Sequence, residues 1–342
     1  MNEGGALGVV EGFFLASNQS QVLVDGAPNN STRPESRSFI IVAGGLFAIR
    51  DNATVTLVNN ASIFVQAGGF SSFGSSKLML RDSSTMDIGG DAFSFNGTSS
   101  IGADGRPLAL NITIPFDVEG EVHLFNYSSI DLIDGGSIIV RTGNLNLFNN
   151  SVLTASGEGS SIRVLSLLSL FQSSNLTIFS GGQLTIEEGG TLSINDDSFT
   201  VLEEGSTLNF PNGNIVSSSN GRLILGINSV TSLQQGDVTF DGNSVLSLLQ
   251  GSLLDINGGF LSLGGDSFSF DRSTIRVRGG RFELTNSIQA SGFSSEVSVE
   301  GGDMELNEQA ECTITESDLK VSTGSLELFG SSLFHLTFST SM

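Results

Sequence analysis

The sequence is poor in the residues that usually staple a fold or carry chemistry. Tryptophan is absent, and there are one tyrosine, one cysteine, two histidines and five prolines among 342 residues. The lone Cys312 excludes an intrachain disulfide and leaves the redox compartment open. His123 and His335 lie far apart, each inside an apolar alternating stretch, which argues against a His-based triad or zinc cluster. Lysine occurs only at Lys77 and Lys320, and 14 basic residues face 36 acidic ones, a formal net charge of −22. Such a chain lacks the clustered Lys and Arg that nucleic acid requires. No apolar run reaches the ~18–20 residues that cross a bilayer. The opening Met-Asn-Glu-Gly-Gly-Ala-Leu has neither the basic nor the apolar region of a signal peptide. No stretch combines a 3.6-residue period with caps, so helices are expected to be essentially absent. Phosphate loops, nucleophile elbows and dinucleotide fingerprints are missing too.

Glycine and phenylalanine are plentiful, at 43 and 25 residues, and hydrophobic residues make up 38%. That is too apolar for a disordered chain. Gly-Gly pairs begin at Gly44, Gly68, Gly89, Gly135 and Gly181, and a second run begins at Gly189, Gly258, Gly279 and Gly301. Most steps are multiples of about 21 to 24 residues, and a period of about 20–50 marks a stacked-repeat architecture.

A shorter rhythm lies inside the long one. Residues 183–189, 191–196, 198–205 and 206–210 form phrases in which apolar residues alternate with Ser, Thr or charge. This is the period of a half-buried strand. Most phrases end in Gly, Asn or Asp, which tolerate the positive φ of a corner. Three phrases fill about 22 residues, the coil of a single-stranded parallel β-helix, an all-β solenoid. Residues 1–342 are expected to form one continuous solenoid of about 15 coils, a segment of a longer or polymerising chain, with neighbouring coils ~4.8 Å apart. An isolated coil is unstable: about seven inward side chains contribute ~1.5–3 kcal/mol each, while ordering about 22 backbones costs ~1–2 kcal/mol apiece. Stacking completes its ladders and buries its apolar ring.

Ile88-Gly-Gly-Asp-Ala-Phe-Ser-Phe95 and Leu263-Gly-Gly-Asp-Ser-Phe-Ser-Phe270 are near copies, with Asp91 and Asp266 separated by about half the chain. Eight units of about 22 predict one shared corner, with Phe93, Phe95, Phe268 and Phe270 entering one face as part of an interior Phe ladder. The change of Gly-Gly phase between Gly181 and Gly189 predicts an offset coil. Residues 25–37 and 99–107 read as loops.

Gly-Gly-Ala-Leu (4–7) and Phe93-Ser-Phe-Asn96 resemble the Gly-Gly-Ala and Phe-x-x-Asn phrases of secreted right-handed parallel β-helix proteins of the adhesin and polymorphic-outer-membrane-repeat kind. The right hand is what that resemblance implies.

Candidate site residues follow from patterns. Asn-x-Ser/Thr sequons stand at Asn18, Asn29, Asn30, Asn52, Asn60, Asn96, Asn111, Asn126, Asn149 and Asn175, about twice the number chance supplies for the glycosylation motif. Turn-rich repeats also favour these residues, but the excess points to an extracellular glycoprotein. Arg276, Arg278 and Arg281 are the main basic concentration, either balancing an acidic surface or touching an anionic glycan. The doublets Glu187-Glu188, Asp196-Asp197 and Glu203-Glu204 read as solvated corners, because strand neighbours point to opposite faces; no catalytic residue is assigned. Carboxylates could recruit Ca²⁺, and no other cofactor is expected. The leading expectation is a non-enzymatic extracellular structural or adhesive solenoid, secreted or on a cell surface, that stacks end to end with copies of itself or with flanking domains. Cell-surface or matrix glycans are further expected partners; nucleic acid and membrane insertion are not. A polysaccharide lyase or hydrolase of the pectin-lyase-like kind is the alternative, and an ice-binding face is a third class.

Overall fold

The computed structural model describes residues 6–9, 13–25, 38–59, 61–72, 76–81, 85–88, 92–95, 100–104, 109–112, 115–118, 122–125, 129–133, 135–140, 143–187 and 189–337. It is an all-β parallel solenoid with roughly 23 residues per turn, without a helix among the described residues. Among these residues one of its faces is a sheet of 14 strands, each turn adding one. The chain divides into two compact units, Met1–Ser166 and Leu167–Met342.

The second unit shows the turn most plainly. Asn175–Phe179, Gln183–Ile186 and Thr191–Ile194 form the first, second and third faces of one turn. Leu176, Ile178, Leu184, Ile186, Leu192 and Ile194 all point inward with no exposure. These six residues are every second position of their strands, as the period-2 pattern requires. Phe199–Leu202 then pairs in parallel with Asn175–Phe179 on one edge and Arg222–Leu225 on the other. Its backbone bonds are therefore satisfied from both sides. On the third face, Leu167 aligns with Thr191, Thr191 with Asn214, Val238 with Leu261 and Met304 with Leu326. The turn length is therefore nearly constant, shortening slightly towards the later turns.

The two runs of Gly-Gly mark different corners. Gly181-Gly182 separates the first-face strand Asn175–Phe179 from the second-face strand Gln183–Ile186. Gly189, Gly258, Gly279 and Gly301 instead lie between second-face and third-face strands. No offset coil accompanies the change of phase, because the third-face register runs from Leu167 to Thr191 without a shift. The pair at Gly264 occupies the remaining corner, between Phe260–Leu263 and Ser267–Asp271.

In the first unit, Phe39–Ile49 and Ser62–Ser72 each run through two faces as one bent strand. Their mutual register shifts near Gly44-Gly45, where the corner falls. Phe14, Phe47 and Phe70 stack across this region with ring centroids 4.6 and 5.2 Å apart. The same register position continues to Phe93 and Phe116. An interior Phe ladder therefore exists, at residues the sequence pattern only partly marks. Gln21 aligns with Thr54, and Thr54 in turn with Lys77, so the first of these steps is nearly half as long again as the second. The expected loop at 25–37 falls almost wholly outside the described residues. The expected loop at 99–107 contains a strand, Ser100–Asp104, paired with Lys77–Arg81 and Val122–Phe125.

The two near copies do not share a corner. Ala92–Phe95 follows the strand Thr85–Ile88 on the second face of its unit, whereas Ser267–Asp271 follows a third-face strand. At roughly 23 residues per turn, the separation of Asp91 from Asp266 is not a whole number of turns. Phe268 and Phe270 do enter the interior, at 1% and 2% exposure. The side chains of Phe93 and Phe95 lie outside the described part of the structure.

Candidate functional site

The arginines are divided by a corner. Arg276 and Arg278 share the outward side of the second-face strand Thr274–Arg278, while Arg281 begins the third-face strand Arg281–Leu284. The Nη2 of Arg278 donates to both carboxylate oxygens of Asp255 at 2.7 and 2.6 Å. Arg281 bridges Glu283 at 3.1 Å and Glu305 at 3.3 Å, and its guanidinium lies 5.1 Å from the Phe260 ring centre. Two of the three guanidiniums are thus engaged by the protein's own carboxylates, which fits charge balance on an acidic surface. Arg276 is aligned with Asp255 on one side and Ser298 on the other.

Arg281 has a further task. Glu283, Glu305 and Glu327 occupy successive turns at one register position. Stacked like charges destabilise neighbouring strands, and Arg281 ties the first two together. Next to them, the Ser325 hydroxyl and amide donate to Asp303 Oδ1 at 2.7 and 2.8 Å. These two hydrogen bonds hold the Asp303 carboxyl below the usual carboxylate range, with a smaller contribution from Arg281.

The acidic doublets are corner residues where they are described. Asp196 and Asp197 have φ of 52° and 61°, and Glu204 has φ of 50°. Asp197 accepts from Asn220 at 2.9 Å, and Glu204 accepts from Ser180 at 2.7 Å. Asn and Asp tolerate such left-handed geometry because their short polar side chains bond locally. Glu188 lies outside the described residues. Among the described residues, no group of three or more His, Cys, Asp or Glu could hold a metal ion. His123 Nδ1 sits 3.3 Å from Asn146 Nδ2 on the next turn of the third face, and His335 is on an exposed first-face strand aligned with Thr313.

The sequons fall into three groups. Asn18 and Asn52 are exposed corner residues, and Asn149 is a half-buried corner residue with φ of 54°. Asn111 and Asn175 are strand residues; the Oδ1 of Asn175 is buried without a hydrogen-bond partner. Asn29, Asn30, Asn60, Asn96 and Asn126 lie outside the described residues.

One surface feature has no signature in the strand phrases. The first-face strands Ser267–Asp271, Gln289–Phe293 and Glu311–Thr315 floor an open trough of about 300 Å³. Phe293 is 45% exposed at its edge, whereas Phe268, Phe270 and Phe282 are buried. The signal in the sequence is Gly292, which takes the inward slot and so turns the following Phe outward. Comparison with protein-family models and with curated proteins finds no match to this sequence.

Proposed function

We propose that this chain is a non-enzymatic extracellular solenoid module, structural or adhesive, that continues end to end into further turns. The observation that carries the reading is the last described turn. Its strands Asp318–Ser322, Leu326–Leu328 and Leu333–Thr337 each pair with a preceding turn, on one edge, among the described residues. Leu326, Leu328, Phe329, Leu333 and Leu336 are exposed by 38%, 48%, 48%, 46% and 38%. An open strand edge with apolar side chains invites pairing with another strand, and each side chain covered contributes about 1.5–3 kcal/mol. Another turn, supplied by more chain or by a second copy, fits that edge in register. The adhesin and polymorphic-outer-membrane-repeat resemblance and the right hand belong to this reading. Extracellular placement is supported by the sequon excess and by two sequons on exposed corners.

The test is light scattering across a concentration series. Association that rises with concentration, and that falls in Leu328→Arg while the far-ultraviolet spectrum is kept, supports stacking. A monomer at every concentration overturns self-stacking.

A further inference from the structure

The trough on the first face of the second unit is the strongest unassigned feature. Its two sides are chemically different. Ser269, Ser291 and Thr313 occupy one register position on three successive turns, and Asp271, Phe293 and Thr315 occupy another two residues along. The first side is a row of hydroxyls. The second places an exposed aromatic ring between a carboxylate and a hydroxyl. Gly292 lies between the sides, and Phe270 from the preceding turn fills the interior space a side chain there would need.

Successive turns are about 4.8 Å apart, so three turns offer polar contacts at a spacing suited to a short oligosaccharide. Ser269 donates to Ser247 at 3.0 Å, on the turn before. The hydroxyls of Ser291, Thr313 and Thr315 have no hydrogen-bond partner among the described residues and stand open to a ligand. A pyranose ring is amphipathic: its C–H face packs on an aromatic ring, and its hydroxyls exchange hydrogen bonds with Ser, Thr and carboxylate groups. Asp271 is already paired with Arg272 at 3.1 Å. With a net charge of −22, the chain repels acidic polysaccharides. We infer that this trough binds a neutral oligosaccharide, with a sugar ring stacked on Phe293 and its hydroxyls bonded to Ser291, Thr313 and Asp271.

This inference gives the adhesive part of the proposed function a site, and it can fail without touching the stacking test. Isothermal titration of the full chain uses cellohexaose, maltohexaose and mannohexaose as neutral probes, with an oligogalacturonate as the acidic one. Binding of at least one neutral probe, weakened tenfold or more in Phe293→Ala and in Ser291→Leu, is expected. Both substitutions lie on the outward side of their strand, and circular dichroism checks that the variants fold. No binding by any neutral probe, binding unaffected by both substitutions, or preference for the acidic probe would overturn the assignment.

Discussion

The two glycines of a corner pair answer different demands. Gly279 has φ of 64° with no atom within 4 Å of where a Cβ would lie. It is there for its left-handed backbone, which costs a residue with a Cβ about 1–2 kcal/mol. Gly280 carries no such φ, but its Cβ would run into the carbonyl oxygen of Gly259 on the preceding turn. Gly302 meets Gly280 and Gly324 meets Gly302 in the same way. The second glycine thus permits stacked backbones to approach. Gly280→Ala is expected to destabilise more than Gly279→Ala, since overpacking of about 1–3 kcal/mol or more must be met by moving two turns apart. Urea midpoints compare them, and equal losses would refute the stacking role.

Cys312 gives a pH-dependent counterpart at the same scale. It is buried at 2% exposure, and burial pushes its thiol up from 9.0 to about 12. The folded chain keeps this proton where the unfolded chain releases it. Stability from Cys312 is therefore full below pH ~9 and falls by about 1.4 kcal/mol per pH unit from there towards 12. The alkaline limb of a melting series should be shallower in Cys312→Ala. Identical limbs would exclude the thiol as their source.

At the scale of the element, strand positions and corners were legible because each has a local cause. The phrases from Gln183 to Phe210 became Gln183–Ile186, Thr191–Ile194, Phe199–Leu202 and Thr207–Phe210. What the sequence pattern could not assign was which corner a Gly-Gly pair turns, since all three corners accept glycine. Serine behaves similarly. Ser206, Ser229, Ser252, Ser273, Ser295 and Ser317 are buried, each directly before a second-face strand. They look like ordinary loop serines, yet the amide of Ser273 donates to Ser295 Oγ at 3.2 Å and that of Ser295 to Ser317 Oγ at 2.8 Å. Ser295 and Ser317 thus take up backbone donors inside tight corners, whereas the hydroxyls of Ser206, Ser252 and Ser273 are buried without a hydrogen-bond partner among the described residues. The trough was illegible for a related reason: alternation identifies the outward slots of one strand, but only register between turns brings Ser291, Thr313 and Phe293 together.

For the whole molecule, charge and apolar ends pull in opposite directions. Copies that stack through Leu328 and its neighbours bring together chains that each carry a net charge of −22. Repulsion between exposed charges reaches about 30 Å at 0.01 M ionic strength, about 8 Å at 0.15 M and about 3 Å at 1 M. Burial of apolar side chains is not screened in this way. Association through the last turn should therefore strengthen as sodium chloride is raised from about 0.01 to about 1 M. Leu328→Arg should flatten that rise, because it removes apolar contact while reducing the repulsion that salt otherwise screens. Association that weakens with salt in the unaltered chain would point to ion pairs between copies, and the apolar edge would then no longer explain it.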